Sequence, residues 1–365
     1  MTLHQPRLSC SELHQRLQQS FAQLSEAYPA QLSTYDFSIA GRRVVGRFVG
    51  AELARIFRTA FEPHAGDAPP ALEICLWDET PDTGIDPRLG LSHRLNEQQL
   101  RQDVVTGTSV TGRYVCHIAE SWLNILDLEQ PALVGCVLDR SRFHLHERAR
   151  PLEWPLRFWL RRIGLPVLHA GLVSHEGAGI LIGGPAGAGK STLALACLDA
   201  GFGFLSDDKI GLETVAPGVF VGHRLYRSIL ASVDVLQHFP QHRPHAHRLE
   251  TDALNKAILM ASDLFPDRIQ ASSPIAAVIL PRRDVSHGEA KLVPARRVEA
   301  MTRMLPNCLP LYPTWDSSDI GRLSDLLRAV PVHWLEGTAP PTHLPQLVAQ
   351  ALPQPIEPPG KRHQP

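Results

Sequence analysis

Gly184-Pro185-Ala186-Gly187-Ala188-Gly189-Lys190-Ser191, followed by Thr192, meets G-x-x-x-x-G-K-[ST] at every fixed position. No other stretch restricts the fold so tightly, because the pattern works only between a strand and a helix. Apolar Ile180-Leu181-Ile182 supplies the strand before it, and Thr192 to Leu198 reads as the helix after it. In that setting the glycines let backbone N–H groups turn inward around an anion, where the helix N-terminus adds partial positive charge. Lys190 then reaches the β- and γ-phosphates as a point charge, and the Ser191 hydroxyl holds Mg²⁺. Residues 184–192 are therefore assigned to a nucleoside-triphosphate site in an α/β unit.

Two further features lie where such a loop can use them. Phe202 to Leu205 reads as the strand after the loop's helix, and it ends on Ser206-Asp207-Asp208, with the two carboxylates 16 and 17 residues beyond Ser191. One carboxylate can complete metal coordination while the other accepts a proton from an attacking hydroxyl. His169 falls in the apolar stretch Pro166 to Val173, read as a strand pairing with the one that feeds the loop. A histidine there can orient a nucleophile or steady transition-state charge; an apolar strand also accommodates a histidine with no such role.

The remaining chain sorts into an α+β unit before this core and helices and strands after it. Leu13, Leu17, Phe21 and Leu24 recur at helical spacing, with Pro29 as a stop. Tyr35–Ile39 and Arg43–Val49 alternate around Ala40-Gly41, as a hairpin does. A helix from Ala51 to Phe61, a strand at Leu72–Trp77 and short strands within 104–118 and 122–138 complete residues 1–150, which carry no chemical cluster and read as a recognition domain. A helix at Arg148–Ile163 opens the catalytic unit, 151–352. Leu249–Phe265 reads as helical, Ile275–Leu280 as a buried strand and Val298–Leu305 as a helix. Residues 353–365, rich in proline and charge, read as a disordered tail.

His169, the phosphate loop and Asp207-Asp208, in this order and spacing, resemble the catalytic core of HPr kinase/phosphorylase over about residues 166–212. Weaker similarity to HPr-kinase-related proteins of bacterial gene clusters extends through Lys256, Leu264 to Arg268 and Leu280 to Arg283. The resemblance implies a fold like that of phosphoenolpyruvate carboxykinase. It implies that His169 and one aspartate handle the hydroxyl proton, while Ser191 and the other aspartate hold Mg²⁺; Asp208 is preferred as base and Asp207 as ligand. The chain departs from that pattern at Thr192, where the family carries glutamate, and in lacking the downstream Glu-Ile/Val-Arg-Gly stretch linked there to phosphorolysis. Its first 150 residues do not resemble the family's usual first domain.

Charge and cysteine usage exclude some classes. The formal net charge is −1, so no global field points to nucleic acid or an anionic membrane. No apolar run reaches the roughly 18 residues of a transmembrane helix. The six scattered cysteines form no C-x-x-C pair, which reads as reduced thiols in a cytoplasm. The sequence thus points to a cytoplasmic, ATP- and Mg²⁺-dependent kinase with catalytic residues His169, Lys190, Asp207 and Asp208. Its acceptor is expected to be a serine of a peptide or small protein. A small-molecule kinase and a nucleotide-gated binding module are the alternatives, and a homo-oligomer is left open. His238, His242, His245 and His247 crowd a loop without the regular spacing of a metal site. That loop, with His223, Arg224 and Arg227, could meet an anionic acceptor, and Arg282-Arg283 could meet a phosphoryl group.

Overall fold

A serine and a glutamate start the chain's first helix. Ser9 Oγ accepts from the Glu12 N–H at 3.3 Å and Glu12 Oε2 accepts from the Ser9 N–H at 2.7 Å, a reciprocal cap that opens α1 (Cys10–Ala27). This computed structural model describes residues 8–86, 88–90, 107–110, 112–247, 255–282, 288–308 and 316–353. The apolar stripe Leu13, Leu17, Phe21 and Leu24 is buried as its spacing requires, against Trp77, Ile125 and Cys136 of a sheet. That sheet comprises β1 (Leu32–Ile39), β2 (Arg42–Val49), β3 (Glu62–Pro63), β4 (Leu72–Asp78), β5 (Gly107–Val110), β6 (Tyr114–Ile118), β7 (Trp122–Asp127) and β8 (Ala132–Val137). Its order is β3-β1-β2-β4-β8-β7-β6-β5, parallel at β2/β4 and β4/β8 and antiparallel elsewhere. Ala40 and Gly41 both take positive φ in the β1–β2 turn, as a two-residue hairpin demands. On the face opposite α1 lies α2 (Ala51–Ala60), packed on Phe37, Phe48 and Leu76.

The single helix expected over Arg148–Ile163 is two: α3 (Leu145–Ala149) and α4 (Glu153–Arg162). Pro151 causes the break, because a proline disfavours α geometry in the residue before it. Arg150 accordingly sits at φ −142, ψ 66, and Leu152 is left-handed at φ 57. Leu156, Trp159 and Leu160 of α4 join the same apolar cluster as the first sheet, together with Leu225 and Tyr226. The two halves of the chain share that core.

The second sheet leads into the glycine-rich loop that opens at Gly184. Its strands are β9 (Val167–Leu168), β10 (Gly171–His175), β11 (Ala178–Ile182), β12 (Gly203–Ser206), β13 (Ile210–Ala216), β14 (Val219–Arg224), β17 (Ser272–Arg282), β18 (Lys291–Pro294) and β19 (Val332–Glu336). Between them, β15 (Ser228–Ser232) and β16 (Lys256–Met260) form a separate antiparallel pair. β11 and β19 both run parallel to β17. One face is covered by α5 (Lys190–Asp199) and α10 (Leu344–Gln350), the other by α8 (Arg297–Met304) and α9 (Ser317–Ala329). The architecture is mixed α/β.

Two expectations are corrected here. Pro166–Val173 is not one strand: it breaks at His169-Ala170, so that β9 pairs with β13 while β10 pairs with β11 and β12. Within Leu249–Phe265 the structure has strand β16 and the short α7 (Ala261–Leu264) in place of a helix. Ala257 and Leu259 are fully buried at a spacing of two beside β15, so partner pairing decides a short apolar run that periodicity leaves ambiguous. Residues 249–254 and 354–365, with Arg248 and Arg283, lie outside the described residues. Among the described residues no helix is long and apolar enough to cross a membrane.

Candidate active site

β11 delivers the chain to the glycine-rich loop, still tied to the sheet by the Gly183 N–H donating to Ile279 O at 2.9 Å. Gly184, Gly187 and Gly189 then take φ of +129°, +78° and +101°, conformations that a side chain would strain. Lys190 opens α5 with its ammonium folded back over the loop, donating to Gly184 O at 2.9 Å and Pro185 O at 3.1 Å. It is only 6% exposed, and burial draws its pKa below the ordinary lysine value. Lys190 thus holds its ammonium inside the loop, on two backbone carbonyls.

β12 brings the two aspartates to this loop. Ser206 Oγ accepts from the N–H groups of Asp208 and Lys209 at 3.1 and 2.9 Å, a local turn that stops the strand and fans the two carboxylates apart. Asp207 is 1% exposed; its Oδ2 accepts from the Leu230 N–H at 3.0 Å and lies 3.4 Å from Ser191 Oγ. Asp208 Oδ1 meets His169 Nε2 at 2.5 Å, and its Oδ2 accepts from Lys209 Nζ at 2.5 Å. The break between β9 and β10 is what places His169 there, facing the end of β12 rather than extending a strand.

One residue that carries no sequence motif ties the pair together. Arg150, 3% exposed, donates from Nη2 to Asp207 Oδ1 at 2.9 Å and from Nη1 to Asp208 Oδ2 at 2.5 Å. Burial works against the Asp208 charge, but Lys209, Arg150 and His169 outweigh it and hold the carboxyl well below the usual range. Burial dominates at Asp207 and raises it. Burial also lowers His169, against the pull of Asp208, so the ring favours its neutral form. A neutral His169 donating from Nε2 leaves Nδ1 as an acceptor, and Nδ1 has no hydrogen-bond partner among the described residues.

These groups share a cavity of about 1110 Å³. Ala186, Gly187, Gly189, Lys190, Ser191 and Thr192 form one wall, with His169, Asp208 and Arg150 beside them; Asp207 sits behind that wall. His117 of β6 and Trp122 of β7 line the same space, as do His146 of α3 and Trp154 of α4. Burial lowers His117 to about 4, and burial followed by Arg150 and Lys256 lowers His146 to about 4, so both imidazoles are neutral at pH 7. Sequence reasoning missed this contribution of the first sheet, as it missed Arg150. Uncharged walls leave no motif, and the only local trace of Arg150 is the helix-breaking Pro151.

Other sequence candidates lie elsewhere. His242 Nε2 pairs with Asp199 Oδ1 at 2.7 Å, and only His238 of that histidine loop lines the cavity. Among the described residues no three histidine, cysteine or acidic side chains gather as a metal cluster. His223 meets Glu213 at 2.7 Å, Arg224 meets Glu62 at 3.2 Å, and Arg227 is 3.6 Å from Glu62. Arg282 packs over Trp334 and lies 3.6 Å from Glu336. Ser191 Oγ and the buried Asp207 Oδ2, 3.4 Å apart, are hard oxygen donors of the kind that Mg²⁺ takes.

No protein-family model matches the chain. Over 96 residues it is 31% identical to the HPr kinase/phosphorylase of Bordetella pertussis, a match covering 26% of this chain and 27% of that protein. Over 71 residues it is 35% identical to the HPr kinase/phosphorylase of Nitrosomonas europaea, covering 19% of this chain and 22% of the relative. The chain thus matches about a quarter of the length of these relatives. A solved Hpr(Ser) kinase/phosphatase from Coxiella burnetii aligns at 19% identity and a TM-score of 0.27, covering 51% of this chain and 92% of its own. Over these partial stretches the chain is similar to HPr kinase/phosphorylases.

Proposed function

We propose that this chain is an ATP-dependent, Mg²⁺-requiring kinase that moves the γ-phosphoryl group onto a hydroxyl, with a serine of a peptide or small protein as acceptor. Residues 151–352 would form the catalytic unit, with a phosphoenolpyruvate carboxykinase-like phosphate-loop fold, residues 1–150 an acceptor-recognition unit and 353–365 a tail. The observation that carries the reading is the division of two carboxylates between two tasks: Asp207 beside Ser191, and Asp208 beside His169. A module that only binds nucleotide needs the first arrangement and not the second.

The loop amides and Lys190 bind and orient the triphosphate. Ser191 and Asp207 would hold Mg²⁺, which when bound would neutralise charge on the phosphates. Asp208, kept ionised, takes the proton from the acceptor hydroxyl as its oxygen attacks phosphorus; the bond from phosphorus to the β-bridging oxygen breaks, and ADP leaves with that electron pair. His169 fixes the Asp208 carboxylate through Nε2 and offers Nδ1 as an acceptor. Catalysis is then positioning and electrostatics in a site largely withdrawn from water.

A small-molecule acceptor is the second reading. It is favoured by one feature: His169 and Asp208 side chains are only 10% and 18% exposed, in a cavity partly walled by the first sheet. Incubation with γ-labelled ATP, Mg²⁺ and panels of serine peptides, small proteins and hydroxylated metabolites, read by mass spectrometry, tests both. Transfer to a peptide supports the first reading and transfer to a metabolite the second. Bound ATP whose label reaches no acceptor, water included, overturns the kinase.

A further inference from the structure

Each carboxylate of the aspartate pair has one oxygen committed to Arg150 and the other turned to a task. Asp207 gives Oδ1 to the guanidinium and keeps Oδ2 toward Ser191; Asp208 gives Oδ2 and keeps Oδ1 toward His169. A planar guanidinium with two forward N–H groups can span two carboxylates in one plane, which a single ammonium cannot. Two acids this close repel one another, and a shared cation between them is what lets both remain in place.

Arg150 is itself fixed from both sides. Ala149 O accepts from Ser228 Oγ at 2.9 Å, Pro151 O accepts from Tyr226 Oη at 3.3 Å, and the Arg150 N–H donates to His146 O at 2.7 Å. Those anchors join the break between α3 and α4 to β15 and its approach, the strand whose Leu230 N–H also holds Asp207. Arg150 itself lines the cavity, as do the nearby His146 and Trp154.

We infer that Arg150 is a positioning residue of this site: through its two N–H groups it aims Asp207 at the Ser191 metal position and Asp208 at the acceptor. This rests on the kinase reading. Removing an outer partner of a metal-binding carboxylate typically costs about 10–100-fold in metal affinity. Arg150→Lys keeps the charge and loses the fork.

The test is calorimetric titration of Mg²⁺ at fixed ATP for wild type and Arg150→Lys, with a parallel ATP titration in excess chelator. The expected result is a Mg²⁺ half-saturation raised about tenfold or more in the variant, with metal-free ATP affinity unchanged. Arg150→Ala should show the same shift and be partly restored by added guanidinium. Equal Mg²⁺ requirements overturn the inference alone. A parallel loss of metal-free ATP affinity overturns it too, since the side chain would then act on the nucleotide. Unfolding of Arg150→Lys, seen by circular dichroism, would assign the residue to the scaffold and overturn it. Wild-type protein that binds no Mg·ATP overturns the kinase reading together with it.

Discussion

Lys190→Ala offers a magnitude that follows from the geometry of the loop. An ammonium about 4 Å from one phosphate charge, at an effective dielectric of about 20, contributes about 4 kcal/mol. Against this stand the two carbonyl bonds of Lys190 Nζ, to Gly184 and Pro185, which compete with the phosphate and contribute about 1 kcal/mol each. The substitution should therefore weaken Mg·ATP binding by about 2–3 kcal/mol, about 30- to 150-fold in Kd. Alanine favours the helix that begins here, so the fold should persist. Calorimetry with Mg·ATP, with adenosine as a ligand that carries no phosphate, reads the effect. Circular dichroism checks the fold. A loss for Mg·ATP no larger than the loss for adenosine would refute the assignment of Lys190 to the phosphates.

Two further outcomes concern the scaffold. A Cβ at Gly135 would lie 2.2 Å from Leu123 O and 2.6 Å from Asn124 Cα, so Gly135→Ala should part β7 from β8 and cost about 3 kcal/mol or more, seen in denaturant unfolding. Because β7 carries Trp122 into the cavity, any folded fraction should lose acceptor use before nucleotide binding. At Glu153, burial opposes ionisation, but Arg157, Lys209 and Arg150 outweigh it and bring the carboxyl from 4.5 to about 2. A group lowered on folding contributes above its unfolded value, so about 3 kcal/mol should be present above about pH 4.5 and vanish as pH falls through about 2. Glu153→Gln should flatten that part of the acid-unfolding profile; an unchanged profile would contradict the ion-pair account.

What could be read from the residues alone was what acts locally. Residues 184–192 set their own conformation within one strand–loop–helix unit, and Asp207-Asp208 follow on the next strand, so both were legible. Arg150 was not, because its partners lie 57 and 58 residues away and a lone arginine before a proline carries no pattern. His169 was found but placed in a strand; the break that turns it toward Asp208 arises from β9 and β10 choosing different partners. Residues 256–260 were misread as helix for a related reason, since the strand exists by pairing with β15. His117 and Trp122 were invisible as site residues, because only the packing of the first sheet against α4 brings them to the cavity.

The measurement that reaches the central claim most directly compares Asp207→Asn and Asp208→Asn in two assays on the same protein: Mg·ATP titration and single-turnover transfer to whichever acceptor carries label. Asp208 faces His169, Lys209 and Arg150 at 2.5 Å each, whereas Asp207 faces Ser191. Asp208→Asn should keep Mg·ATP affinity within a few-fold while transfer falls by about 10²–10⁴, the usual effect of removing a general base. Asp207→Asn should instead raise the Mg²⁺ requirement, with transfer recovering as Mg²⁺ is increased. Small and equal effects of the two substitutions on transfer would contradict the account and leave a nucleotide-binding protein without the proposed chemistry.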